Sequence, residues 1–181
     1  MHTKIDLTLT VTTATGTQTF TLGAAHFEAI VGTWQADNSS LAELFGIAAA
    51  HPSYSVRRSV AGSDHLPVEA ALALAEDPCA SVRSQVASND LFRQAAPEEL
   101  VLRLIDSDPE VAEAIANYVE RFENADVNAL CEALARHPDV VVRRTIASNG
   151  GTPVKWVRKL TSDPVPDVAG AARQQMSSRS R

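Results

Sequence analysis

Apolar residues recur in pairs four positions apart along most of the chain, a spacing that places two side chains on one face of an α-helix. One set of pairs is followed directly by alanine: Val56/Val60, Val82/Val86, Val111/Ile115 and Val142/Ile146. A second set precedes the units of the first: Leu44/Ala48, Ala70/Leu74, Leu100/Leu104, Leu130/Leu134 and Trp156/Leu160. The pattern predicts consecutive pairs of helices.

The spacing of these pairs indicates a repeated unit. The first residues of the second set are separated by 26, 30, 30 and 26 residues, a recurrence typical of helical repeat proteins. An Asp-Pro or His-Pro dipeptide ends the first helix of each unit, because the residue before proline avoids the α conformation. One helix pair cannot bury its apolar face alone, whereas stacked pairs share a core. We therefore expect a mainly all-α fold, with a solenoid of about five helix pairs over residues 39–176.

The most regular units are HPSYSVRRSVAGS at 51–63, DPCASVRSQVASN at 77–89 and HPDVVVRRTIASN at 137–149. They resemble the leucine-rich variant repeat, a relative of HEAT repeats, and the resemblance covers roughly residues 40–173. It implies a right-handed α-solenoid with a concave face. Some members of that family hold an iron–sulfur cluster on N-terminal cysteines, whereas the cysteines here are Cys79 and Cys131. We therefore expect no cofactor.

The third unit departs most from this pattern. Ala112 stands where the other regular units have arginine, and the loop after Asn89 is longer. The segment that begins with its Asp-Pro dipeptide is two residues shorter.

The ends of the chain differ from the repeats. Apolar and polar residues alternate from Ile5 to Val11, and TFTL follows at 19–22, which predicts a β-hairpin. With a helix over about 24–35, residues 1–38 are expected to cap the solenoid, although an exposed edge strand also suits self-association or addition of a partner strand. Residues 177–181 are expected to form a disordered basic tail.

Charge is distributed unevenly. Residues 1–141 hold 8 Lys/Arg against 20 Asp/Glu, a net charge of −12, and residues 142–181 hold 8 against 2, a net charge of +6. The acidic part should repel nucleic acid, so only the last forty residues favour it. The acidic segment 98–132 is either a solvated face or a docking site for a basic protein or for the basic C-terminal part of another copy. With no apolar run of about 20 residues and no signal-peptide pattern, we expect a cytoplasmic protein without a membrane partner.

Arginines recur at one place in the units, directly after the first valine, and we call this set the arginine ladder: Arg57, Arg83 and Arg143. They form either an anion-binding stripe or structural pairs with acids of the neighbouring unit, such as Asp77 and Asp108. Residues further round the second helices are freer to touch a partner. The candidate binding residues are Arg58, Ser84, Glu113, Asn117 and Arg144.

Catalytic signatures are lacking from the sequence. It contains no phosphate-binding glycine loop, no metalloprotease motif and no nucleophile elbow. His51 and His137 stand where other units have aspartate, which favours a role in the turn over metal binding, so we expect no metal. The expected function is a non-enzymatic protein–protein interaction through the concave face. The alternative is nucleic-acid binding through the basic C-terminal section; a HEAT-like lyase is a third class, for which no residues can be named.

Overall fold

The computed structural model describes residues 7–23 and 40–179, and this part of the chain is mainly helical with a small two-stranded antiparallel sheet. Strand β1 (Leu7–Thr13) pairs with β2 (Gly16–Leu22) across a two-residue turn. Gly16, the first residue of β2, has a positive φ of 142°. Threonines opposite each other are joined by side-chain hydrogen bonds, Thr10 to Thr19 at 3.3 Å and Thr12 to Thr17 at 3.2 Å. The predicted hairpin is confirmed. The helix predicted over 24–35 lies outside the described residues.

Eleven α-helices and one 3₁₀ turn (Val119–Arg121) lie within residues 40–179. The bounds of the helices are α1 Ser40–Ala49, α2 Tyr54–Ala61, α3 Val68–Leu74, α4 Ala80–Ala87, α5 Asp90–Ala95, α6 Glu98–Ile105, α7 Pro109–Asn117, α8 Val127–Arg136, α9 Val140–Ser148, α10 Val154–Leu160 and α11 Pro166–Ser178.

The helices alternate between two classes, as the pairing pattern predicts. We call α1, α3, α6, α8 and α10 the first helices of five units, and α2, α4, α7, α9 and α11 the second helices. Helix α5 is additional, and it occupies the longer loop after Asn89. The Asn89 side chain caps this helix by accepting a hydrogen bond from the backbone N–H of Leu91 at 2.9 Å.

The same turn joins the two helices in four of the units. The aspartate or histidine before the proline accepts a hydrogen bond from the backbone N–H two residues later: Asp77 Oδ1 from Cys79 at 2.8 Å, Asp163 Oδ1 from Val165 at 2.9 Å, and the Nδ1 atoms of His51 and His137 from Ser53 at 3.0 Å and Asp139 at 3.1 Å. The two histidines thus carry out the turn role that their positions predict.

The second helices pack against one another in chain order, α2 on α4, α4 on α7, α7 on α9 and α9 on α11. Among the first helices, α1 contacts α3, α6 contacts α8 and α8 contacts α10. Each second helix buries a valine fully in this core: Val56, Val82, Val111, Val142 and Val168, all at 0% exposure. Each of these valines comes from the same place in its unit, so burial follows the sequence period.

The turn of the third unit is one residue shorter than in the other units. Seven positions separate Leu104 from Val111, whereas eight separate Leu74 from Val82 and Leu134 from Val142. The segment from the Asp-Pro dipeptide to the buried valine is two residues shorter, as the sequence indicates, but the dipeptide lies one position further from the first helix, so the whole turn loses only one residue. Measured from the end of the first helix, Ser107 takes the place of Asp77, and both donate their backbone N–H to the carbonyl three residues earlier, at 3.1 Å in each case.

The C-terminal segment 177–181 is not a disordered tail as far as it is described. Helix α11 continues through Ser178. The guanidinium group of Arg179 then donates hydrogen bonds to the backbone carbonyls of Thr152 at 2.8 Å, Asn149 at 3.2 Å and Gly150 at 2.5 Å. Carbonyl groups in the loop after α9 therefore fix the chain at Arg179.

Candidate binding surface on the second helices

The residue two positions after each buried valine points away from the core, because it lies about 200° around the helix from the valine. These five residues form a row across adjacent second helices, which we call the second-helix surface: Arg58, Ser84, Glu113, Arg144 and Gly170. Arg58, Arg144 and Gly170 are exposed, whereas Ser84 and Glu113 are half-buried. Four of the five predicted binding residues thus occupy equivalent places on neighbouring helices.

Residues one turn away extend this surface along α7 and α9. Asn117, the fifth predicted binding residue, lies four positions after Glu113 and is exposed. Val141 lies three positions before Arg144 and is 50% exposed, so these two side chains share one face of α9. The surface therefore combines polar and charged groups with an exposed apolar side chain.

The sign of the charge changes from helix to helix along this surface. Arg58 on α2 is cationic, Ser84 on α4 is neutral, and Glu113 on α7 is anionic. Arg144 on α9 is cationic again, and Gly170 on α11 carries no side chain. A ligand that covers several helices would therefore meet charges of both signs.

Two members of the arginine ladder form buried ion pairs with an acid of the next unit. Arg57 contacts Asp77 through Nε–Oδ2 at 2.5 Å and Nη2–Oδ1 at 3.0 Å, with side chains 13% and 4% exposed. Arg143 contacts Asp163 in the same way, at 2.9 and 3.4 Å. The hydrogen bond to Asp77 raises the pKa of Arg57, and the hydrogen bond from Arg143 lowers the pKa of Asp163. These guanidinium groups join neighbouring units and are not an open anion stripe.

Arg83, the third member, lacks such an acid. Asp108, named with Asp77 as an example of an acid that the ladder pairs with, instead caps helix α7, where its Oδ1 accepts the backbone N–H of Glu110 at 2.9 Å. Arg83 donates through Nη1 to the carbonyl oxygen of Asp77 at 2.7 Å. Its Nε is buried and has no hydrogen-bond partner among the described residues. The ladder is therefore incomplete between the second and third units.

Asparagine side chains form a second link between units, which the sequence interpretation missed. Asn89 Nδ2 donates to the carbonyl oxygens of Ala61 at 3.0 Å and Ser63 at 2.8 Å, at the end of the preceding second helix. Asn149 Nδ2 donates to Ala116 at 2.8 Å in the corresponding way. The signal was present in the sequence, because Asn89 and Asn149 each lie seven positions after the buried valine of their helix.

The two cysteines lie in different surroundings. Burial raises the pKa of Cys131 to about 12, and a hydrogen bond with the Ser81 hydroxyl lowers the pKa of Cys79. Within the described ranges no three metal-ligating side chains come together. Among the same residues, no helix combines the length and the apolar character that a membrane crossing requires.

Several cations of the C-terminal section are already engaged within the fold. Arg143 is in the ladder, and Arg179 is bound to backbone carbonyls. Lys155 and Lys159 have their Nζ atoms 5.4 and 5.0 Å from the centroid of the Trp156 ring. This section therefore presents fewer free cations than its composition indicates.

Comparison with known proteins gives no match: no family model fits the chain, and no curated protein or solved structure is significantly similar to it. The resemblance to the leucine-rich variant repeat therefore stays a prediction.

Proposed function

We propose that the chain is a short helical-repeat solenoid that binds another protein through the second-helix surface and catalyses no reaction. The solenoid interpretation is supported by the order of contacts, because each second helix packs on the next one along the chain. It is also supported by the two links that recur between units, the Arg–Asp pairs and the asparagine bridges. In such an array the second helices line one continuous, usually concave, surface.

The alternation of charge on that surface is the observation that favours a protein partner. A folded protein or a peptide presents charges of both signs, and complementary placement of these charges determines the specificity of the complex. Nucleic acid instead requires a run of cations along its phosphates, and Glu113 interrupts the run between Arg58 and Arg144. Val141 adds exposed apolar area, which a protein interface buries.

Charge reversal on the second-helix surface tests the proposal. The wild-type chain and the double variant Arg58→Glu/Arg144→Glu are immobilised, and partners are captured from cells of the native host. The matched control is Arg158→Glu, which reverses an exposed cation on a first helix. Circular dichroism shows that all three proteins are folded before capture.

We expect the wild type and the Arg158→Glu control to capture equal amounts of one partner protein. The double variant should capture at least about tenfold less of it. Equal capture of every partner by all three proteins would reject this surface as the binding site. Oligonucleotide binding at about 50 mM salt, weakening steeply as salt is added, would favour the nucleic-acid alternative instead.

A further inference from the structure

All three ladder arginines are anchored in the same way. Each donates through Nη1 to the carbonyl oxygen six residues earlier, at 2.8 Å for Arg57, 2.7 Å for Arg83 and 2.9 Å for Arg143. In Arg57 and Arg143 the remaining edge of the guanidinium, formed by Nε and Nη2, holds the carboxylate of the next unit. The repeat itself therefore shows which ligand this edge binds.

The shortened turn of the third unit removes that ligand from Arg83. Ser107 takes the place of the aspartate, and it donates its hydroxyl to the carbonyl oxygen of Leu104 at 2.8 Å. The residue two positions later is Pro109, which has no N–H, so the turn itself needs no acceptor there. The neighbouring acid, Asp106, is exposed. The buried Nε of Arg83 is consequently unpaired, whereas the Nε atoms of Arg57 and Arg143 each contact an aspartate.

A cavity of about 290 Å³ lies at this position. Arg83 and Ser107 line it together with Leu100 and Leu104, which provide an apolar wall, and with Arg103. We propose that this cavity binds a carboxylate group from outside the chain, held by the free edge of Arg83 as Asp77 is held by Arg57. Because the Nε atom is buried, a lining side chain must shift when the carboxylate reaches it.

The surroundings favour a carboxylate over a phosphate. Glu76 and Asp77 also line the cavity, and they would repel a doubly charged group more strongly than a singly charged one. Both acids are already paired, Glu76 with Arg103 at 2.6 Å and Asp77 with Arg57 at 2.5 Å. The planar guanidinium edge matches the two oxygens of a carboxylate.

A neighbouring cavity of about 820 Å³ provides an internal comparison. It is lined by Arg57 and Asp77, which form a bidentate pair. Its arginine edge is therefore occupied from within the chain. The Arg83 cavity shares no lining residue with the second-helix surface, and the proposal for it is independent of the proposed function.

Nuclear magnetic resonance of the arginine Nε–Hε groups tests the proposal in the full chain. The Arg83 signal is assigned as the one that disappears in Arg83→Lys. Propionate is the probe, and propionamide is its uncharged control. We expect a saturable shift of the Arg83 signal with propionate, no shift with propionamide, and unshifted Arg57 and Arg143 signals. No shift with propionate, or an equal shift of all three arginine signals, would overturn the proposal.

A substitution that restores the missing acid gives the sharper control. Ser107→Asp places a carboxylate at the position that Asp77 and Asp163 occupy, so we expect the Arg83 signal to move without any ligand and to become insensitive to propionate. The matched control Asp106→Asn removes an adjacent acid outside that position, and it should bind propionate as the wild type does. Undiminished propionate binding in Ser107→Asp would contradict the assignment of the site.

Two further probes distinguish the natural source of the carboxylate. N-acetylalanine represents the C-terminus of a protein, and N-acetylalaninamide serves as its neutral control. N-acetylaspartate α-amide represents an acidic side chain. Saturable binding of either acid supports the site, and the tighter of the two identifies the source. Failure of both acids to shift the Arg83 signal would overturn the proposal. This outcome does not depend on the result of the partner-capture experiment.

Discussion

Replacing Asp163 with asparagine removes one carboxylate from a buried ion pair while preserving the shape of the side chain. Asp163 Oδ2 accepts Arg143 Nε at 2.9 Å, and Oδ1 accepts Arg143 Nη2 at 3.4 Å and the backbone N–H of Val165 at 2.9 Å. Asparagine retains one oxygen for Val165. Its amide nitrogen would face Arg143 Nε, donor against donor, so the charge and the shorter of the two contacts between the fourth and fifth units are lost.

The magnitude follows from the burial of the pair. The side chains of Arg143 and Asp163 are 12% and 5% exposed, so little water can replace the lost contacts. Removing one partner of a buried pair costs about 3–5 kcal/mol. Arg143 retains its hydrogen bonds to the carbonyl oxygens of His137 and Pro138, both at 2.9 Å. We therefore expect Asp163→Asn to lower the free energy of unfolding by about 2–4 kcal/mol.

An exposed ion pair in the same protein supplies the control. Glu76 contacts Arg103 at 2.6 Å, but their side chains are 63% and 64% exposed. Surface pairs contribute about 0–1 kcal/mol, so Glu76→Gln should change the free energy of unfolding by less than about 0.5 kcal/mol. The two substitutions make the same chemical change, and only burial separates them.

Urea unfolding followed by far-ultraviolet circular dichroism measures both variants. The expected result is a lower midpoint for Asp163→Asn, with an unchanged dependence on urea concentration. If Asp163→Asn were no more destabilising than Glu76→Gln, the reasoning that the ladder pairs hold neighbouring units together would be refuted.

Three further predictions follow from the same contacts. The pKa of Asp163 is lowered in the folded protein, so this carboxylate stabilises the fold above its ordinary pKa of about 3.9. That stabilisation should be lost as the pH falls through the pKa of the folded state. Urea midpoints measured at decreasing pH test this. Asn89→Ala should cost about 1–3 kcal/mol in urea unfolding, because the buried carbonyl of Ala61 loses a donor. At about pH 8, a thiol reagent should label Cys79 first and Cys131 only on unfolding, because burial raises the pKa of Cys131 to about 12.

Each of these has an outcome that contradicts it. Wild type and Asp163→Asn with the same loss of stability toward low pH would show that this carboxylate does not contribute. An Asn89→Ala variant as stable as the wild type would mean that water replaces the bridge. Simultaneous labelling of both thiols in the folded protein would contradict the burial of Cys131.

The sequence predicted most of the helices because their apolar residues carry two independent periods, four positions within a helix and 26 to 30 positions between units. The buried valines follow from that pattern, and the hairpin follows from the alternation of apolar and polar residues near the start of the sequence. The pairing of Arg57 with Asp77 was also accessible, because an arginine and an acid recur at fixed places in neighbouring units.

The sequence interpretation failed where a local motif conflicted with the spacing of buried residues. The dipeptide at Asp108 resembles the Asp-Pro turns of other units, so it was aligned with them. The distance from Leu104 to Val111 shows that one residue is missing, which makes Asp108 a helix cap and leaves Ser107 opposite Arg83. The missing carboxylate becomes evident only when the contacts of the three ladder arginines are compared.

The central structural claim is that the helix pairs stack in chain order around one shared core. Nuclear Overhauser contacts between valine and isoleucine methyl groups test it directly, because such contacts arise only between groups a few ångströms apart. We predict contacts between the equivalent residues of successive second helices, such as Val86 with Ile115 and Ile115 with Ile146, and none between Val60 and Ile146. Absence of the first two contacts, or presence of the third, would contradict the account.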